Sequence, residues 1–166
     1  MILAIDPGNV ESAYVLVEDD LSRVVEKGKV ENFELVDIIL RIRDEHNSLE
    51  HIAIEMIASY GMAVGKTVFE TCVWIGRFAQ LIRVEFGVEP EFIYRSEEKM
   101  CLCHSMKAKD SNIRQALVDI YAPNTPNGGK GTKKSPGYFY GFKSDIYSAL
   151  AVAHTYKKKY LDGEEF

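Results

Sequence analysis

The stretch Ile2-Leu3-Ala4-Ile5-Asp6-Pro7-Gly8-Asn9 decides the fold. Four apolar residues end abruptly in an acid, a proline and a glycine. This is the pattern of a buried strand that delivers one carboxylate to its end, where the backbone turns sharply. A carboxylate at the lip of a central strand loses solvation and needs a cationic partner. A hard divalent metal, which takes oxygen ligands, is the partner that suits it. The design repeats at Ile52-Ala53-Ile54-Glu55, a second short apolar run closed by an acid.

Between and around these two runs the chain reads as alternating strands and helices. Residues 2–6, about 12–18 and about 23–30 form three strands, with Asp19-Asp20 marking a hairpin turn. Leu35, Ile38, Ile39 and Ile42 share one face of a helix spanning about 34–47. After Glu55 comes a small-residue turn, Ala58-Ser59-Tyr60-Gly61-Met62-Ala63, and then a long helix over 64–86. Val64, Val68, Cys72, Ile75, Ala79, Ile82 and Phe86 make one apolar stripe on it, and Trp74, Phe78 and Leu81 make another. Two apolar faces on one helix mean either a helix sandwiched within the domain or one shared with a second subunit, and the favoured reading is a homodimer joined through 64–86.

A short strand is predicted at 91–94, then an irregular basic stretch to Lys109 and a helix to about Tyr121. Ile113, Leu117 and Ile120 point inward on that helix. Residues 122–137 are rich in glycine and proline and hold Lys130, Lys133 and Lys134, which predicts a mobile basic loop with no regular element. Tyr138, Phe139, Tyr140 and Phe142 flank it, either to stack on bases or to anchor the loop. The last helix starts near Lys143, with Asp145 in its first turn and small residues behind it. Small residues permit close packing on the sheet, which brings Asp145 toward the strand ends.

With 166 residues and 46% hydrophobic content the chain suits one domain spanning 1–166. No apolar run is long enough to cross a bilayer and no leader pattern opens the chain, so a soluble, cytoplasmic protein is expected. Cys72, Cys101 and Cys103 form no disulfide framework and fit a reducing compartment. Cys101-Leu102-Cys103-His104 lacks the second pair that a zinc site requires. The net charge of −5 is unevenly spread. Residues 1–94 hold 8 basic and 17 acidic side chains, whereas 95–143 hold 9 basic and 4 acidic. Phosphate responds to the local field, so the middle of the chain is the place for nucleic acid.

Ile-Asp-Pro-Gly at the start, Ala-Ile-Glu at the fourth strand and a small-residue terminal helix opened by an acid resemble the RuvC family of Holliday-junction resolvases. Gly131-Thr132-Lys133-Lys134-Ser135-Pro136-Gly137 and Lys143-Ser144-Asp145 resemble its phage-encoded branch, whose members act in a host cytoplasm. The resemblance spans nearly the whole chain in the same motif order. It implies an α/β, RNase H-like fold: a mixed five-stranded sheet, strands 1–3 antiparallel, with helices on both faces. It also implies a homodimer that cleaves four-way junctions, and in the phage branch forks and flaps as well.

Carried over by position, Asp6, Glu55 and Asp145 match metal ligands, and Lys99 a catalytic lysine near the scissile phosphate. The family's second acid on the terminal helix is here Ser148, whose hydroxyl can hold a ligand only through water. Glu70 on the long helix is the nearest substitute acid. Tyr60 corresponds to a base-stacking aromatic, and Lys107, Lys109, Lys130, Lys133 and Lys134 to DNA contacts. Lys157-Lys158-Lys159 adds an outer contact or caps the last helix. Two Mg²⁺ or Mn²⁺ ions per site would activate water and leave 5′-phosphate ends. Two other readings stand beside this one. One is a branched-DNA binding module that cuts weakly or not at all, and the other is a fragment of an actin-like nucleotide-binding protein.

Overall fold

The computed structural model describes residues 1–61 and 63–166. Strands β1 (Ile2–Asp6), β2 (Glu11–Val17), β3 (Val24–Glu31), β4 (His51–Met56) and β5 (Glu91–Tyr94) form one sheet in the order β3-β2-β1-β4-β5. β1, β2 and β3 are antiparallel neighbours, and β4 and β5 run parallel to β1. This is the mixed five-stranded arrangement that the resemblance implied.

Alternation along the strands sorts the two faces. Leu3, Ile5, Ile52 and Ile54 point to a layer made by α1 (Asn32–Glu45) and α2 (Lys66–Phe86), where they meet Leu35, Ile39, Phe78 and Ile82. Ile2, Ala4, Ala13 and Ala53 point the other way, under α5 (Ser144–Tyr156), with α3 (Arg95–Cys103) and α4 (Asp110–Tyr121) outside it. Helix α5 is buried from Ala149 to Tyr156, since it lies between the sheet and two other helices. Its small residues face Ala4, Ala13 and Ala53, so helix and sheet approach closely.

Several expectations change on contact with the structure. The stretch after Tyr94 is not irregular: Arg95–Cys103 is a helix, opened where the Tyr94 backbone N–H donates to Glu97 Oε2 at 2.8 Å. Ile120 is exposed rather than inward, because α4 buries only Ile113 and Leu117. The buried face of α2 is Thr71, Trp74, Ile75, Phe78 and Ile82, drawn from both expected stripes, while Val64 and Cys72 are exposed. Met62 of the expected small-residue turn lies outside the described residues.

Within the 122–137 segment, Pro126–Gly129 makes a kinked turn with Asn127 and Gly128 in left-handed backbone, so no regular helix forms there. A bridge between Gly131 and Pro136 then closes a tight hairpin whose tip, Thr132–Ser135, carries Lys133 and Lys134. Phe139 and Phe142 are buried, with Phe139 stacked on Tyr147 at 5.2 Å, and Tyr138 Oη donates to the Leu21 carbonyl at 2.8 Å. Those three aromatics anchor the loop to the core.

The chain ends in a π-helical turn, Lys157–Leu161. There Lys157 pairs with Asp162, Lys158 with Glu164 and Lys159 with Glu97, at 2.6–2.8 Å. This lysine run is neutralised by its own neighbours.

Candidate active site

Register across the sheet places the site. Lys29 of β3 lies opposite Ala13 of β2, and Ala13 opposite Asp6 of β1. One residue beyond the Ile5–Ile54 pair, Asp6 stands beside Glu55 of β4. Lys29, Ala13, Asp6 and Glu55 therefore form a row on the α5 face, at the C-terminal ends of β1 and β4. Ala13 leaves room in this row, and the first turn of α5 brings Asp145 to it. Lys29 Nζ meets Asp145 Oδ2 at 2.5 Å and Glu11 Oε2 at 3.6 Å.

The turn that follows Asp6 is fixed by a polar tie. The Gly8 N–H donates to Ser12 Oγ at 3.1 Å, Ser12 Oγ donates to Asn32 Oδ1 at 2.6 Å, and Asn32 Nδ2 returns to the Gly8 carbonyl at 2.9 Å. Ser12 and Asn32 are both buried, so their polar groups need these partners. A β-carbon on Gly8 would run into the Glu11 carbonyl oxygen, so glycine is required there.

The Asp6 and Glu55 carboxyls face each other closely, and their contact raises the Asp6 carboxyl and lowers that of Glu55. Burial raises the Asp6 carboxyl well above the usual carboxylate range, and the charges of Glu55 and then Asp145 add to it. Burial raises Glu55 as well, while Asp6 and the Arg95 guanidinium pull it back down. A third acid shares the region. Glu98, on α3, is fully buried, and burial plus the nearby charge of Glu55 lifts its carboxyl far above normal. Its Oε2 accepts from Arg95 Nη1 at 2.5 Å, and Arg95 Nη2 donates to Asp110 Oδ1 at 2.5 Å. Glu98 Oε1 has no partner at all among the described residues.

The donor set suits a hard divalent cation: oxygen ligands only, with Asp6 and Glu55 crowded so that a positive charge would relieve them. Among the described residues no three acidic, histidine or cysteine side chains converge on one point. Asp145 is paired with Lys29. Asp6, Glu55 and Asp145 are the residues that would hold an ion.

The other expected residues fall around this centre. Ser148, one turn beyond Asp145, lines a groove of about 830 Å³ shared with Arg95, Ser111, Arg114 and Ser144. Glu70 is engaged elsewhere, accepting from Asn9 Nδ2 at 3.2 Å and pairing with Lys66 at 3.4 Å. Lys99 sits on α3, Lys107 in the turn before α4, and Lys109 at the α4 start. Lys133, Lys134 and Tyr60 are exposed, and Lys130 is half-buried. Cys101 and Cys103 are free thiols, with Cys101 pushed up to about 11 by burial. No helix among the described residues is long and apolar enough to cross a membrane.

Sequence reasoning missed Arg95, Glu98 and Lys29. For the first two a signal existed: Tyr94-Arg95-Ser96-Glu97 opens a helix with an acid at its third position, as helix starts do. Lys29 gave none, since only the sheet register brings it to Asp145.

The same arrangement of sheet and helices occurs in solved structures of Thermus thermophilus RuvC. One, in complex with a Holliday-junction substrate, matches with a TM-score of 0.70 at 17% identity, covering 98% of this chain and 95% of that one. Another matches with a TM-score of 0.65 at 20% identity, covering 98% and 96%. The fold is RuvC-like and RNase H-like. No protein-family model and no curated protein sequence matches the chain.

Proposed function

We propose that this protein is a metal-dependent, structure-selective endonuclease that cleaves Holliday junctions and other branched DNA. The observation that carries the reading is the Asp6–Glu55 pair at adjacent strand ends with Asp145 facing it from α5. Asp6, Glu55 and Asp145 would hold Mg²⁺ or Mn²⁺, which would supply the Lewis acidity for water attack and departure of the 3′ oxygen. The chain's own residues do the rest. Asp6 and Glu55 would hold such an ion as carboxylates, the ion's charge relieving their crowding. Lys29 releases Asp145, and its ammonium is then free to meet a phosphate oxygen.

Ser148 places a hydroxyl rather than a fourth carboxylate on the groove wall. Lys99, Lys107 and Lys109 hold the backbone, and Lys130, Lys133 and Lys134 reach toward a DNA arm. Tyr60, exposed beyond β4, stacks on an opened base. Glu70 steadies the turn after Asp6 through Asn9. The lysine-tipped hairpin, which contacts backbone rather than base edges, favours the broad specificity of the phage-encoded branch. Its products carry 5′ phosphates, and the protein works in the cytoplasm. A homodimer forms through α2, whose outer face exposes Phe69, Val73 and Val84.

The test is incubation of a labelled four-way junction and a matching linear duplex with Mg²⁺, Mn²⁺ or EDTA, beside Asp6→Asn. The expected result is metal-dependent nicking of the junction alone, lost in Asp6→Asn, with nicks that a ligase reseals. A junction bound but uncut in every metal replaces the enzyme with a binding module.

A further inference from the structure

The groove beside the carboxylates carries a cation that the lysine positions above do not account for. Arg95 follows β5 directly and opens α3 on the face that holds Asp6 and Glu55, and it lines the groove with Ser111, Arg114, Ser144 and Ser148. Its guanidinium is gripped from two directions, by Glu98 and Asp110, each at 2.5 Å.

The two grips are unequal. Glu98 is 0% exposed and Asp110 is 87% exposed. Separating a buried ion pair strands a charge in a poor solvent, whereas an exposed pair exchanges with solvent at little cost. Glu98 therefore fixes the guanidinium, and Asp110 is the partner that can leave. With Oε1 of Glu98 unpartnered, Arg95 is that acid's one compensation among the described residues. The outer edge of the guanidinium offers two parallel donors, the geometry that suits a phosphate as well as a carboxylate.

We propose that Arg95 is a DNA-phosphate contact at the mouth of the acidic site, positioned by Glu98 and shielded in the free protein by Asp110, which occupies the phosphate's place. The inference rests on the branched-DNA reading above. Arg114 continues the same wall: it lies over the Tyr147 ring at 4.6 Å and has no carboxylate partner among the described residues. A strand laid along this groove passes both arginines, and at Arg95 the incoming phosphate displaces Asp110.

The experiment is junction binding by fluorescence anisotropy in EDTA, where nothing is cut, across a series of KCl concentrations. Asp110→Asn removes the shield at an exposed position and is expected to tighten binding about two- to fivefold. The double variant Arg95→Gln/Glu98→Gln removes both charges together, so no buried ion is stranded. It is expected to bind about tenfold more weakly, with a salt slope shallower by about 0.9 per bound subunit. Circular dichroism confirms that it is folded. Wild-type binding combined with an unchanged slope in the folded double variant, or with Asp110→Asn no tighter than wild type, overturns the assignment of Arg95 alone. No junction binding by the wild-type protein overturns the DNA reading and this inference together.

Discussion

Toward α1 and α2 the sheet presents Leu3, Ile5, Ile52 and Ile54, none of them more than 1% exposed. Toward α5 it presents Ala4 and Ala53 and then, one step further along the same strands, Asp6 and Glu55. The first face buries branched side chains that drive folding. The second crowds Asp6, Glu55, Glu98 and Asp145 into one region with Arg95 and Lys29 as counter-charges, an arrangement that opposes folding. Both faces bury an apolar cluster, and the acids sit at one end of the second, a local cost that can be perturbed without the first.

The largest effect is expected on the apolar side. Phe78 is fully buried against Trp74, their rings 5.5 Å apart. Phe78→Ala is expected to lower unfolding free energy by about 3–5 kcal/mol in denaturant titrations. Junction affinity, measured where the variant remains folded, should stay near wild type. An affinity that falls with stability would show that the two faces are not separable.

Acid gives a smaller effect. His154 is buried in α5, where Nδ1 lies 2.5 Å from Tyr121 Oη, and burial holds its pKa down at about 4. The folded protein binds this proton less readily than the unfolded chain, whose histidine titrates near 6.5. The stability it permits is intact above about pH 6.5 and is lost as pH falls toward 4, by up to about 3 kcal/mol. The acids around Asp6 act in the opposite direction, since they take up protons more readily when folded. Comparison with His154→Gln isolates the histidine: the wild-type loss between pH 7 and 5 should exceed the variant's. Parallel curves would remove His154 from the account.

The smallest effect is expected at Asp6 itself. Asn in its place offers Glu55 an N–H donor and relieves the crowding of two buried carboxyls, so Asp6→Asn should gain about 1 kcal/mol in melts without divalent ions. Added Mg²⁺ should narrow the gap by stabilising the wild type alone. A variant less stable than wild type in EDTA would mean that the charged face does not oppose folding.

Much of the fold was legible because β1 and β4 each state their purpose in a few residues: an apolar run, then an acid. Long periodic segments such as α2 and α5 were equally clear in kind. The face that α2 buries was not, because two apolar stripes on one helix look alike until the sheet selects between them. Helix α3 was hidden by its shortness and its charge, with Leu102 and Glu98 its only buried residues. The acids Asp6, Glu55 and Asp145 could be found from strand ends and a helix start. Lys29 could not, because its approach to Asp145 arises from pairing across three strands. The two lysine runs read alike in sequence, and only the structure separates Lys157–Lys159, each paired with an acid, from Lys133 and Lys134 at an open turn.

The small polar tie among Gly8, Ser12 and Asn32 has a consequence for quality control. It joins the turn after β1, the second strand and the first helix, two segments of the sheet and one of the helical layer. Asp6 is aimed only when all three have assembled. A chain stalled before α1 docks therefore carries its acid on a loose end, with no defined neighbour and no groove. Correct folding and a correctly pointed carboxylate are one event, and a partly folded copy of this protein is also a blunt one.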